Sequence, residues 1–227
     1  MLHPCFNSRR SNGKWKFINK NNDEIIRYNS EYIYDFKDGL ALVKKRINGW
    51  RYGFINKLGI EIIPCKYNDA SGFNNGLARI SKYIKDTKYE IKAYWGFINC
   101  SGEEIVPCIY NDAFNFCDGL AIIKLDKRWG LIDSSGNEIT SCKYEYIGDV
   151  EKFDDNHFDR NLNENLFIEG LAQVRINSKR GFIDKCGTEI VICKYNYTSD
   201  FENGFALVEF EGQRGYIDEN GTEYWEN

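Results

Sequence analysis

The chain has 227 residues, with 30 basic and 34 acidic side chains giving a net charge of −4. The charges are spread along the whole length, which leaves no basic patch to follow a phosphate backbone, and no apolar run approaches the roughly 20 residues of a membrane span, so nucleic acid and membrane are excluded as partners. Fifteen Tyr, 15 Phe and 5 Trp against a single Met and 3 Pro favour strands and turns, and the expected class is all-β.

Taken in chain order, residues 1–13 read as an N-terminal leader without the apolar stretch of a signal peptide. A cytoplasmic location with reduced cysteines is the matching expectation. From residue 14 to 227 the chain reads as a single repeat domain. Its marker is an aromatic-Gly-aromatic-Ile-Asx string: Trp15-Lys-Phe-Ile-Asn19, Tyr52-Gly-Phe-Ile-Asn56, Trp95-Gly-Phe-Ile-Asn99, Trp129-Gly-Leu-Ile-Asp133, Arg180-Gly-Phe-Ile-Asp184 and Arg214-Gly-Tyr-Ile-Asp218. A second marker, Gly-Leu-Ala, falls between them at Gly39, Gly76, Gly119 and Gly170, with Gly-Phe-Ala at Gly204. The step from first to second marker is 23 residues and the step back is 11, a period of 34. Three insertions break the rule: three residues before Gly53, nine within 81–94, and seventeen within 148–165. Insertions in repeat arrays fall in loops.

These strings resemble the WG (or KWG) repeats of bacterial proteins, whose pattern is roughly Gly-Leu-Ala, then Trp-Gly-Phe-Ile-Asp, Gly, and Glu-Ile-Ile-Pro before Tyr. The resemblance runs from Trp15 to the end. The departures are Lys16, Arg180 and Arg214, together with Cys65 and Cys108 where a second Pro is common. The resemblance implies a β-rich repeat fold and a binding or scaffolding role, and it brings no catalytic residues.

Each unit offers three apolar segments, such as Leu120–Lys124, Trp129–Asp133 and Glu138–Thr140, so the expected architecture is a tandem array of about six three-stranded antiparallel β-meanders, open solenoid-like or propeller-like. The first copy has no Gly-Leu-Ala strand of its own, and this favours the open form. The Asx three residues after the marker Gly, followed by Gly three later, suits a type I turn closed by a left-handed residue. Alternation places Trp95 and Phe97 on one face and Gly96 and Ile98 on the other. Neighbouring units then cover both faces, and Gly96 lets an aromatic of the next unit approach the backbone.

Several rows recur once per unit. Glu24, Glu61, Glu104, Glu138, Glu189 and Glu223 stand eight residues after the marker position; they read as structural carboxylates for backbone N–H groups or for lysines such as Lys66, Lys143 and Lys194, with cation or basic-peptide binding as the alternative. Cys65, Cys108, Cys142 and Cys193 lack the paired spacing of zinc ligands and read as core residues. Tyr67, Tyr110, Tyr144 and Tyr195, with Trp95 and Trp129, read as core or as a groove that stacks a ligand.

Catalysis has little to stand on. Only His3 and His157 are present, and no phosphate-binding glycine loop occurs. The reading is therefore a non-catalytic scaffold with no cofactor and no metal, mediating protein–protein interaction through inserted loops and an exposed face. Its candidate contact residues are Tyr83, Lys85, Lys88 and Tyr89 in the first long insertion and Asp154, Asp155, His157, Asp159 and Arg160 in the second. The alternatives are a carbohydrate- or cell-wall-binding module using the repeated Tyr and Trp, and an immunity or regulatory protein that neutralises an enzyme.

Overall fold

A computed structural model describes residues 7–11, 14–18, 24–85, 90–148 and 166–226, with side chains from Tyr28 onward. Every regular element among them is a β-strand, and each strand pairs antiparallel with its sequence neighbour inside one of six sheets. The chain divides into two compact units, Met1–Tyr110 and Asn111–Asn227.

The first unit holds three sheets. The first is β1 (Asn7–Ser11), β2 (Lys14–Ile18) and β3 (Glu24–Tyr28). The second is β4 (Tyr32–Lys37), β5 (Leu40–Arg46), β6 (Trp50–Asn56) and β7 (Glu61–Tyr67), and the third is β8 (Asp69–Ala70), β9 (Leu77–Lys85), β10 (Ile91–Asn99) and β11 (Glu104–Tyr110). The second unit repeats the pattern. Its fourth sheet is β12 (Asp112–Ala113), β13 (Leu120–Leu125), β14 (Arg128–Asp133) and β15 (Glu138–Tyr144). The fifth is β16 (Tyr146–Ile147), β17 (Leu171–Ile176), β18 (Lys179–Asp184) and β19 (Glu189–Tyr195), and the sixth is β20 (Tyr197–Thr198), β21 (Phe205–Phe210), β22 (Gln213–Asp218) and β23 (Glu223–Trp225).

The three expected strands are present in every repeat, and five of the six sheets add a fourth in front of them. In four sheets that strand is only two residues long, as in Asp69–Ala70, too short to leave a hydropathy pattern. Strand β1 lies inside the segment expected to be a leader. It pairs Asn7 with Ile18 just as Ala41 pairs with Ile55, so the first copy has its second-marker strand after all, written without the Gly-Leu-Ala letters.

The core forms where neighbouring sheets of one unit face each other. Leu42, Phe54 and Tyr67 of the second sheet pack against Ala78, Ile80 and Ile98 of the third. Leu131 and Tyr144 of the fourth meet Ala172, Val174 and Ile183 of the fifth, and Phe182 and Tyr195 of the fifth meet Ala206, Val208 and Ile217 of the sixth. Large side chains on one face thus fill against small and branched ones on the next, which accounts for the alternation in the marker strings.

The marker glycine answers to a different neighbour from the one expected. Between Tyr52↔Tyr67 and Phe54↔Ile63 strand β7 carries two more residues than β6, a bulge that folds its backbone over Gly53. A Cβ on Gly53 would lie 2.5 Å from the Ile63 carbonyl oxygen and 2.7 Å from the Cys65 nitrogen. Gly96 and Gly181 are tighter, at 2.4 Å from the Val106 oxygen and 2.3 Å from the Val191 oxygen. The crowding comes from the adjacent strand of the same sheet, so the ring of a neighbouring unit is not the cause. The first copy confirms it: Glu24 to Tyr28 is two residues shorter than Glu61 to Tyr67, the register runs from Trp15↔Tyr28 to Phe17↔Ile26 without a shift, and Lys16 stands where the others have Gly.

The turn after the marker forms as its residues require. The Asn99 side-chain oxygen accepts the backbone N–H groups of Ser101 and Glu103, both at 3.0 Å, and the Gly102 N–H donates to the Asn99 carbonyl at 2.9 Å. Asn56, Asp133, Asp184 and Asp218 repeat the pattern, and Gly102 supplies the positive φ of +83°. Replacing Asn99 by alanine leaves two turn N–H groups to solvent and is expected to cost about 1 kcal/mol. That corresponds to a melting temperature lowered by about 2–4 °C, read by circular dichroism.

Candidate interaction surface

Three of the recurrent glutamates, Glu61, Glu189 and Glu223, are staples between sheets, each accepting from a tyrosine of the preceding sheet. The Tyr144 hydroxyl donates to Glu189 at 3.2 Å and the Tyr195 hydroxyl to Glu223 at 2.9 Å; Tyr28 donates to Glu61 in the same way. Each of these carboxylates also holds a lysine: Lys45 with Glu61 at 2.6 Å, Lys143 with Glu189 at 2.6 Å, and Lys194 with Glu223. The lysine ammonium beside each of Glu189 and Glu223 holds its carboxyl below the usual range. Partial burial works against the charge on Glu61, yet Lys45 and Tyr28 outweigh it and its pKa is lowered too. In the third sheet the carboxylate turns instead to its own sheet, pairing with Lys82 rather than the expected Lys66, and the Tyr67 hydroxyl is pushed up to about 12 by burial and by Glu104 nearby. With Tyr67, Tyr110, Tyr144 and Tyr195 all buried, this row is no ligand groove.

The repeated cysteines sit over the marker glycines. Cys108, Cys142 and Cys193 each direct the thiol at a carbonyl of the second-marker strand, those of Ile80, Ile123 and Val174 at 4.0, 3.9 and 3.7 Å. Burial pushes the Cys108 thiol up to about 12 and those of Cys65, Cys142 and Cys193 up to about 11, so at neutral pH they are protonated and poor nucleophiles. Among the described residues no group of three His, Cys, Asp or Glu side chains gathers as a metal site would need.

Of the residues singled out from the sequence, Tyr83 and Lys85 are described, while Lys88, Tyr89, Asp154, Asp155, His157, Asp159 and Arg160 lie outside the described residues. The first long insertion does lengthen a hairpin. Strands β9 and β10 have nine residues each, and the added rungs pair Tyr83 with Ala93, Ile84 with Lys92 and Lys85 with Ile91. The Tyr83 N–H is anchored to the Asn68 side-chain oxygen at 2.8 Å. Beyond that anchor Tyr83 is 63% exposed, and Ile84 and Ile91 are exposed with it.

A second exposed group in the same unit went unnoticed in the sequence. Cross-strand register sets Tyr32, Lys44 and Tyr52 in one row over β4, β5 and β6, with Trp50 two residues from Tyr52 on the same side. The Lys44 ammonium lies 4.6 Å from the centre of the Trp50 ring, 5.0 Å from Tyr52 and 5.7 Å from Tyr32. Tyr32 and Trp50 meet edge to face at 6.0 Å and remain 45% and 40% exposed. Partial burial disfavours the Lys44 charge, but the Tyr52 hydroxyl prevails and the pKa is raised, so the cation stays fixed among the rings. The same row holds Lys124 over Trp129 and Arg175 over Tyr146. The available signal was a cation five residues after Gly39, Gly119 and Gly170.

Against known proteins, no curated protein matches the chain. Among the solved structures that align with it are BamB from Moraxella catarrhalis, at 9% identity, TM-score 0.35 and 96% of this chain, and the β-propeller domain of the Trilobed protease from Pyrococcus furiosus, at 11% identity, TM-score 0.39, 96% of this chain and 78% of that one. The chain spans 65% of the length of the BamB structure. The model of the WG containing repeat matches at residues 17–49, 52–83, 95–129, 129–152 and 181–213. Those matches span most of the chain, each over its own copy of the 34-residue rule, and the chain accordingly belongs to the family of WG-repeat proteins.

Proposed function

We propose that this WG-repeat protein is a non-catalytic, cytoplasmic scaffold that binds a protein partner through the exposed aromatic end of its second sheet and the lengthened hairpin β9–β10. The observation that carries this reading is the exposed Tyr32–Trp50 pair around Lys44, a rigid group of rings with a fixed cation. Large aromatics that lie exposed on ordered strands lose little conformational entropy on contact, which is why such residues dominate the energetics of protein interfaces. The hairpin adds Tyr83, Ile84 and Ile91, apolar surface whose exposure serves no core.

The test is capture of a partner from native lysate on immobilised full-length protein, followed by titration of that partner against Trp50→Ala and Tyr83→Ala. A stoichiometric protein is expected, its affinity about tenfold or more weaker with Trp50→Ala while the melting temperature stays within about 2 °C. Retention on polysaccharide in place of protein, or a partner indifferent to both substitutions and lost only when residues 148–165 are deleted, would overturn this assignment of the surface.

A further inference from the structure

The fifth sheet sets two like charges opposite each other on one rung. In the second, third and fourth sheets the residue before the marker glycine is a ring, and register places Tyr52 opposite Lys44, Trp95 opposite Ser81 and Trp129 opposite Lys124. In the sixth sheet that residue is Arg214, opposite Glu209 and 4.0 Å from its carboxylate. In the fifth it is Arg180, and the residue opposite is Arg175. Like charges facing each other across a strand pair destabilise the sheet, so the fold by itself favours a ring or a carboxylate at one of these two positions.

Only one of the two arginines is compensated from within the chain. The Arg175 Nε donates to Glu145 at 2.9 Å, and the other oxygen of that carboxylate lies 3.1 Å from Arg128. The Arg180 Nη1 donates to the Thr198 carbonyl at 3.4 Å, and among the described residues no carboxylate pairs with it. Its guanidinium carbon lies 6.0 Å from the centre of the Tyr146 ring and 5.5 Å from that of Tyr197. Tyr146 is buried and Tyr197 is 45% exposed, so the rings hold the guanidinium where the sheet meets solvent. Beside it, Lys179 donates to the neutral side chain of Asn196 at 3.2 Å. Three arginines and a lysine thus share the single carboxylate of Glu145.

We infer that Arg180, held between Tyr146 and Tyr197, receives a carboxylate from an acidic peptide segment of a partner protein. The neighbouring arginine is already bound in that manner, with Glu145 facing Arg175, and a carboxylate from outside does the same for Arg180 while offsetting the repulsion along the rung. A guanidinium presents a planar fork that matches a carboxylate and stacks on rings, so the residue type suits both neighbours. The net charge of −4 and the presence of Glu145 in the group disfavour a long phosphate backbone, whereas carboxylates spaced along a peptide meet neither obstacle. The site belongs to the second unit and does not depend on the aromatic surface of the second sheet.

Fluorescence anisotropy of a labelled oligoglutamate peptide, titrated with the full chain in low salt beside an oligoglutamine peptide of the same length, tests this. The glutamate peptide is expected to bind and the glutamine peptide not, and Arg180→Gln should weaken binding about tenfold. Lys185→Gln removes the same charge just past the other end of β18 and should change the affinity by less than about twofold. Should Arg180→Gln lower the melting temperature, Arg180→Lys takes its place: it keeps the charge without the fork, and binding should still fall about threefold. Arg180→Tyr restores the ring found in the second sheet and should melt no lower than the wild type while binding no probe. Equal affinity for the two peptides, an equal loss with Lys185→Gln, or tighter binding of a phosphoserine peptide or of single-stranded DNA overturns the proposal. An Arg180→Tyr variant that still binds, or that melts early, overturns it as well.

Discussion

Gly96→Val is expected to destabilise the protein by about 3 kcal/mol or more, the largest effect of any single substitution considered. The added Cβ would stand 2.4 Å from the Val106 carbonyl oxygen and 2.8 Å from the Cys108 nitrogen. Those are backbone atoms of a bulged strand, held by β10 on one side and by the Cys108 thiol over Ile80 on the other, so no rotamer change relieves the overlap. Thermal denaturation should show a melting temperature lower by about 6–12 °C, at roughly 2–4 °C per kcal/mol for a chain of this size. The cause can be separated from mere bulk. Deleting Pro107 and Cys108 alongside Gly96→Val restores the spacing of the first copy, where Glu24 to Tyr28 is short and Lys16 is tolerated. That variant should be more stable than Gly96→Val alone, although it sacrifices a buried thiol. A melting temperature for Gly96→Val equal to the wild type would sink the explanation.

This glycine shows what sequence reasoning reaches and where it stops. The period, the strand positions and the Asx turns follow from residue types at fixed offsets, because each depends on neighbours within a few positions. That Gly96 needs space was legible; which atoms claim it was not, because the bulge across from it is a register event between strands. The relevant signal was present as a covariation inside the chain, two residues missing after Glu24 together with Lys16. The short strands such as Asp112–Ala113 were invisible because two residues carry no period. The aromatic group around Lys44 escaped for a related reason: Tyr32, Lys44 and Tyr52 are far apart in sequence and are brought into one row only by strand pairing. Most of the candidate residues chosen from the insertions lie outside the described residues, and those in β9 belong to a hairpin whose added length was the readable feature.

Glu189→Ala is expected to cost about 2 kcal/mol, and the loss should itself depend on pH. The carboxylate accepts from the Tyr144 hydroxyl, whose ring is wholly buried, and from Lys143, which is nearly half exposed. An ion pair that open to water contributes little, so most of the cost is the tyrosine hydroxyl left without its charged acceptor. Lys143 holds Glu189 below its ordinary pKa, and the same holds for Lys194 and Glu223. A carboxyl whose folded pKa is depressed stabilises the fold fully above its unfolded value near 4.5 and loses that contribution as pH falls through the folded value. Melting temperatures measured from pH 7 down to pH 3 should therefore fall steeply below about pH 4.5 in the wild type and less steeply in Glu189→Ala. At the other extreme Tyr144 is pushed up to about 12, first by burial. A raised folded pKa stabilises below the unfolded value near 10 and is lost as pH climbs from there toward 12, so a second decline is expected in alkali. Tyr144→Phe should remove that alkaline component yet leave much of the acid limb, since Glu189 keeps Lys143. If the two variants lose stability in parallel at both ends of the pH range, the staple does not act as a tyrosine–carboxylate bond, and the recurrence of Glu at positions 61, 189 and 223 would need another cause.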